Sequence, residues 1–346
     1  MAVALAALPP GEAALVAVSG GGDSMALLHA TAIAAQGRPV LAATVDHGLR
    51  PEAAAEAALV ARHCAALGIP HAVLHWRAPS RGNLQAAARE GRRRLLAEHA
   101  KAQGASLVLL GHTADDQAET VLMRLARGSG VDGLAGMPAA FRALDLGWMR
   151  PFLGLPREAL RLWLRERAID WVEDPSNADL RFARARARAM MEPLATLGLT
   201  RDRLLRMAGH MAAAERTLWA AALREAEGTV QEEAGGTLRL DAALLERIGV
   251  EDTAARLLAA ALMWVGGRDH RPRWDALMRL AGRLRTGRGA TLAGCLIRRE
   301  GAALLILRET RNRAAPPAQG FAAFLAAQAE PPSLSQGAVC GSGSAG

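Results

Sequence analysis

Short apolar runs alternate with stretches of helical length through the first third of the chain, and this alternation limits the available folds more than any other feature. Leu15–Val18 reads as a buried strand that ends in glycines and leads into a helical stretch from about Ser24 to Gln36. Val40–Val45 reads as a second strand, ending at Asp46-His47-Gly48. The pattern predicts strands near Ala72–Trp76 and over Ser106–Leu110, with helices over Glu52–Leu67, Asn83–Gln103 and Asp115–Arg127. Strands joined by helices of this length form right-handed crossovers, so they lie parallel with helices on both faces. The expected fold class is therefore α/β, a doubly wound parallel sheet of Rossmann-like type. Ligands of such sheets sit beyond the carboxyl ends of the strands. The polar strand ends Ser19–Ser24, Asp46-His47-Gly48 and Gly111-His112 accordingly face one crevice.

Farther along, Arg157–Arg167 reads as a helix with Leu160, Trp163 and Leu164 on one face. From about Leu180 to Glu227 the chain is helical and rich in arginine, and shorter helices are expected near Asp241–Ile248, Asp252–Val265 and Trp274–Leu284. Gly289–Arg308 reads as a small β-hairpin with Gly301 at its turn. After Arg313 proline, alanine, glycine and serine dominate, as in a flexible tail. This gives three expected parts: 1–190, 191–312 and the tail 313–346.

Lys101 is the only lysine, so nearly all of the 42 basic residues are arginine. Arginine is always charged and grips phosphate with two donors, and a net charge of +8 points to a polyanionic partner. Cys64, Cys295 and Cys340 are far apart, which argues against a disulfide framework or a thiolate metal site and fits a reducing cytoplasm. The opening MAVALAALPP lacks a basic start and is broken by Pro9 and Pro10, unlike a signal peptide. No apolar run is long enough to span a bilayer, so no membrane partner is expected.

Glycines between an apolar strand and a helix let backbone N–H groups approach a phosphate, and the helix N-terminus adds partial positive charge. Ser19 and Ser24 offer further donors, and Asp23 offers a carboxylate for Mg²⁺ or water. The same glycines also suit a plain strand-to-helix turn. A Walker loop is excluded because it needs Gly-Lys-Ser/Thr, and a dinucleotide fingerprint because Met25 stands where its last glycine belongs.

The remaining SGGGDS stretch resembles the pyrophosphate (PP) loop of the ATP pyrophosphatase superfamily, whose members cleave ATP between the α and β phosphates. Further motifs resemble the lysidine synthetases of that superfamily. These are Val45-Asp46-His47-Gly48-Leu49-Arg50, Asn83-Leu84-Gln85 through Arg89 to Arg92, and Gly111-His112-Thr113-Ala114-Asp115-Asp116-Gln117-Ala118-Glu119-Thr120. Arg127-Gly128-Ser129-Gly130, Arg150-Pro151-Phe152 and Asp174-Pro175-Ser176-Asn177 follow in the same order. The resemblance implies that ATP adenylylates C2 of the wobble cytidine of tRNA(Ile) with a CAU anticodon, and that free L-lysine then displaces AMP. It assigns ATP binding and catalysis to 1–190 and tRNA binding to 191–312. A related synthetase adenylating another RNA base and a non-catalytic nucleotide- or RNA-binding module remain open alternatives.

Under this reading Ser19, Gly20, Gly21, Gly22, Asp23, Ser24, Asp46, His47 and His112 bind ATP. Asp23, Asp115, Asp116 and Glu119 are the catalytic candidates, with Asp23 and Asp116 as Mg²⁺ ligands. Carboxylates in a first helical turn also serve as caps, and an Asx-turn would equally explain Asp46. Arg89 and Arg92, one turn apart, and Arg184 and Arg188 are the expected tRNA contacts.

Overall fold

A computed structural model describes residues 5, 8, 11–46, 48, 53–77, 84–173, 179–268, 270–312 and 319–330, with backbone only for 84–86. His47, Leu49, Arg50, Asn83 and the 174–177 motif lie outside the described residues or at their edge, so those readings are not developed further. The chain divides into two compact units, the first running through His210 and the second beginning at Met211.

The first unit is built on β1 (Ala13–Ala17), α1 (Gly22–Ala35), β2 (Val40–Asp46), α2 (Ala53–Ala66), β3 (His71–His75), α3 (Leu84–Ala102), β4 (Ala105–Leu110) and α4 (Ala114–Leu125). A short α5 (Val131–Leu134) leads to β5 (Ala140–Ala143), β6 (Leu146–Met149), α6 (Arg157–Arg165) and α7 (Ala183–Thr196). The strand order is β3-β2-β1-β4-β6-β5, parallel throughout except for β5 against β6. The direction of winding therefore reverses between β1 and β4, the point at which doubly wound sheets open a ligand crevice.

Alternation along β1 explains the two-sided core. Val16 faces Met25, Leu28, Val60, Leu160 and Leu164 from α1, α2 and α6, and Phe152 from the turn after β6. Its neighbours Leu15 and Ala17 face Leu96, Ala97, Ala100 and Trp148 on the other side of the sheet. The unit extends past residue 190 because Leu204 and Ala208, on the start of α8 (Arg201–Thr229), pack with Ala118 and Val121 of α4. The β5–β6 pair does not stand out in the sequence, because its alternation is only four residues long in each strand.

The second unit holds the later turns of α8, a five-stranded antiparallel sheet and further helices. The sheet runs β7 (Val230–Glu233), β8 (Thr237–Asp241), β11 (Ala303–Arg308), β10 (Cys295–Glu300) and β9 (Ala290–Leu292). The expected hairpin is the β10–β11 pair with Gly301 at φ +62° in its turn, and it forms the centre of a larger sheet. Between the strands lie α9 (Leu244–Arg247), α10 (Asp252–Gly266) and α11 (Trp274–Arg285). Helix α10 is buried along almost its whole length, including Arg256. That guanidinium is paired with Asp252 and lies over the Trp219 ring at 4.7 Å. The expected tail needs one correction: Phe321–Ala329 is a helix, α12, with Phe321 and Leu325 buried in this core. Its alanine-rich, uncharged composition resembles a linker, but Phe321, Phe324 and Leu325 supply an apolar anchor.

Gly111 is a tight joint of the crevice, packed against backbone. A Cβ there would lie 3.1 Å from the Asp23 carbonyl oxygen and 3.3 Å from Ser24 Cα, both backbone atoms. Gly111→Ala is expected to lower unfolding stability by about 1–3 kcal/mol in urea titration, since overpacking against backbone cannot be relieved by a rotamer change. Unchanged stability would show that the joint is looser than this contact implies.

Candidate active site

The loop after β1 is braced from three sides. Gly20 adopts φ +83°, a conformation that favours glycine, and its carbonyl accepts the Val172 N–H at 2.9 Å. Gly21 bridges to Val172, and the Trp171 indole packs against Gly22, where a Cβ would make a tight 3.3 Å contact. Asp170 is tied back by His63, 2.6 Å away, and His63 bonds in turn to His29 of α1 at 3.0 Å. Inside the loop the Ser24 hydroxyl donates to the Gly21 carbonyl at 2.9 Å and accepts the Ser19 N–H at 3.1 Å. Ser24 is therefore a brace rather than an outward donor, whereas Ser19 is exposed. The first N–H groups of α1, which no helical carbonyl can take, open into the crevice with the helix dipole behind them.

Across the crevice α4 begins with a capping box. The Thr113 hydroxyl accepts the Asp116 N–H, and Asp116 Oδ2 takes both the Thr113 N–H and its hydroxyl at 2.9 Å. Capping thus explains one oxygen of Asp116. The other, Oδ1, meets Arg157 Nη2 at 3.1 Å. The same guanidinium donates from Nε to Asp23 Oδ2 at 2.9 Å and stands 3.7 Å from Glu119 Oε1. The Arg157 backbone N–H also donates to Asp115 Oδ2 at 2.7 Å. All four carboxylates expected in the site are thereby gathered on one residue at the first position of α6. Sequence reasoning misses Arg157 because it lies at the edge of an amphipathic helix, with only its place after Pro156 to mark it.

Glu119 is 1% exposed and is surrounded by cations. Arg188 Nε donates to it at 2.7 Å, and Arg184 Nε lies 3.3 Å from its second oxygen. Arg184 also reaches the Thr120 hydroxyl at 3.2 Å. Arg184 and Arg188, expected at tRNA phosphates, thus each reach an internal carboxylate while part of each side chain stays exposed. Arg201 adds a cation 3.7 Å from Asp115. Burial opposes ionisation of Asp116, but Arg157, Arg184 and the Thr113 N–H outweigh it and hold its carboxyl below the ordinary value. At Asp23 burial prevails over Arg157 and raises the carboxyl.

The opposite wall of the crevice is basic. Arg150, 8% exposed, is lowered to about 10 by burial and then by Arg89 and Arg124. Arg92 is lowered by burial and by Arg89. His112 follows β4 after Gly111 and accepts a hydrogen bond at Nδ1 from Arg150 Nε, 3.3 Å away. Asp46, at the end of β2, has partners of its own. Its Oδ1 accepts the Gly48 N–H at 2.8 Å, the Asx-turn alternative, and Oδ2 lies 3.6 Å from His75 Nδ1. Arg157 therefore joins the loop to the α4 carboxylates, Arg150 holds His112, and Asp46 bonds within its own turn.

The two expected Mg²⁺ ligands differ in fit. Asp116 has both oxygens engaged, one by the cap and one by Arg157. Asp23 keeps Oδ1 without a partner among the described residues, which suits a Mg²⁺ ion held by one carboxylate together with phosphate oxygens. Among the described residues no group of three His, Cys, Asp or Glu side chains is placed to hold a metal alone.

Arg157→Met would leave Asp23 and Asp116 buried without their shared cation. In the native chain Asp116 titrates below its unfolded value of 3.8, so its stabilisation is present above that pH and is lost on acidification. In the variant both carboxyls are raised, the folded state binds more protons than the unfolded one, and stability falls as pH rises. The expected loss is about 3–5 kcal/mol near pH 8 and clearly less near pH 5, read by urea unfolding. An equal loss at both pH values would contradict the shared-cation account.

Comparison with known proteins agrees with this geometry. Residues 4–195 match the PP-loop domain family. A tRNA(Ile)-lysidine synthase of Ruegeria pomeroyi is 44% identical across 85% of this chain and 70% of its own length. One from Methylobacterium nodulans is 44% identical across 89% of this chain and 94% of its own length. Among solved structures, the U34-tRNA thiolase NcsA from Methanococcus maripaludis matches with a TM-score of 0.50 at 16% identity, covering 59% of this chain and 73% of that one, a likeness of fold. On the loop, the crevice and these relatives, the chain belongs to the tRNA(Ile)-lysidine synthase family of PP-loop proteins.

Proposed function

We propose that this chain ligates lysine to C2 of the wobble cytidine of a tRNA(Ile) with a CAU anticodon, consuming ATP and releasing AMP and pyrophosphate. One observation carries the reading: Arg157 joins the carboxylate of a phosphate-binding loop to the carboxylates of α4, so a nucleotide site and an amine site share one crevice. The names of the relatives support the same reaction.

In the first step the C2 oxygen of the cytidine attacks the α-phosphorus, and the bond to the β-phosphate breaks. Ser19, Gly20, Gly21, Gly22 and the first turn of α1 cradle the phosphates, Arg92 and Arg89 balance their charge from the other wall, and His112 adds a hydrogen bond there. Asp23, together with phosphate oxygens, would hold Mg²⁺, which would supply charge neutralisation for the leaving pyrophosphate. In the second step the lysine amine attacks C2 and AMP leaves. Asp115 and Asp116 orient the ammonium group, and a carboxylate of this cluster takes its proton. Arg184 and Arg188 hold Glu119 and present guanidinium edges to the lysine carboxylate or the RNA. The second unit contributes tRNA recognition, consistent with its many arginines, and the reaction belongs to the cytoplasm. Among the described residues no helix is long and apolar enough to cross a membrane.

Incubating the purified chain with ATP, Mg²⁺, lysine and a tRNA(Ile) transcript should yield one lysine condensed on the wobble cytidine, read by mass analysis of the digested RNA. Unmodified cytidine with intact ATP would overturn the reading. Asp23→Asn is expected to slow turnover by roughly 100-fold or more while tRNA retention on a filter persists. Wild-type activity in that variant would reduce Asp23 to a turn residue.

A further inference from the structure

Arg150 is fixed in place before it reaches His112. Its backbone N–H donates to the Ala139 carbonyl at 2.7 Å, its Nη1 donates to the Pro138 carbonyl at 2.6 Å, and its guanidinium lies over the Phe141 ring at 4.4 Å. Its Nε, held in direction by these contacts, donates to His112 Nδ1 at 3.3 Å. A guanidinium has only donors and does not give up its proton in proteins, so Nδ1 must present a bare lone pair. The single ring proton then sits on Nε2, which has no acceptor among the described residues. Protonating Nδ1 would break the bond and set two cations face to face. The charged groups around the ring favour the same outcome: Arg150, Arg92 from α3 and Arg184 from α7 oppose a positive imidazole, against Asp116 from α4, which favours one.

We infer that Arg150 is a positioning residue that locks His112 as a neutral Nε2–H donor aimed at a polyphosphate oxygen, so that His112 binds substrate and never carries a proton in the reaction. This rests on the nucleotide-binding part of the proposed function and adds the tautomer, the residue that enforces it and the role excluded. Burial, then Arg150, lower the His112 imidazole to about 3, in line with a ring that stays neutral throughout the working range. Neutral histidine in such a role avoids exchanging protons with solvent while still polarising an oxygen.

Nitrogen-15 NMR of the full chain, with the His112 signals identified by comparison with His112→Gln, tests the lock without any turnover. The Nε2–H pattern should persist unchanged from about pH 5.5 to about pH 8.5, well across the ordinary histidine range. An Nδ1–H ring, or a midpoint near the ordinary value, would overturn the lock. In Arg150→Met the ring should titrate at a midpoint at least about one pH unit higher, or change tautomer, whereas Arg150→Lys, which still donates, should keep the native pattern. If Arg150→Met unfolds, Arg150→Lys and the native chain still decide the tautomer. No change in a folded Arg150→Met would remove Arg150 from the account.

Binding of inorganic pyrophosphate tests the donor. His112→Gln, which keeps an N–H, should bind it close to native strength, and His112→Phe about tenfold or more weakly. Equal weakening in both, or weakening of tRNA binding with pyrophosphate unaffected, would overturn the assignment. Because neither measurement requires lysine transfer, failure of the ligase reading and failure of this inference remain distinguishable.

Discussion

Four carboxylates cannot share a partly buried crevice unless a cation is buried with them, and Arg157 is that cation. Its guanidinium spans Asp23 of the loop helix and Asp116 and Glu119 of α4, and its backbone N–H holds Asp115. Placing it at the first residue of α6 leaves its own N–H free of helical bonding and available to Asp115. The core packing of Leu160 and Leu164 then sets the height of the guanidinium above the strand ends. Fold and site are in this sense one construction: the apolar face of α6 fixes the charged end that organises the chemistry.

Much of the crevice is legible in the order of residues along the chain. The strand-and-helix alternation implies a parallel sheet, and the polar ends after β1 and β4 do meet at one place, where the winding reverses. What local sequence does not carry is pairing at a distance. Nothing local distinguishes Arg157 from the other arginines of a helix surface, and nothing in the motif around Arg150 announces that its Nε meets His112. Ser24 resembles a phosphate donor because hydroxyls act so in such loops, yet its proton is taken by Gly21 three residues earlier. The short strands β5 to β8 have too few alternating positions to stand out, and α12 is hidden by a composition shared with linkers.

The completed site has two faces of opposite character. Arg89, Arg92, Arg150 and the start of α1 suit a polyphosphate, and the carboxylate cluster suits an amine. A pure phosphotransferase would have little use for the second face, and a pure nucleotide sensor would not need carboxylates held in ionised pairs at the end of a phosphate loop. An adenylating ligase uses both, because the group that leaves in one step is replaced by the amine in the next.

The order of those steps gives the most direct test. With lysine omitted, ATP labelled at the α-phosphate should transfer its label to the CAU-anticodon tRNA transcript, with one pyrophosphate released for each label retained. Adding lysine should then discharge the label as AMP. Release of ADP and orthophosphate, with no label on the RNA, would contradict the account at its centre.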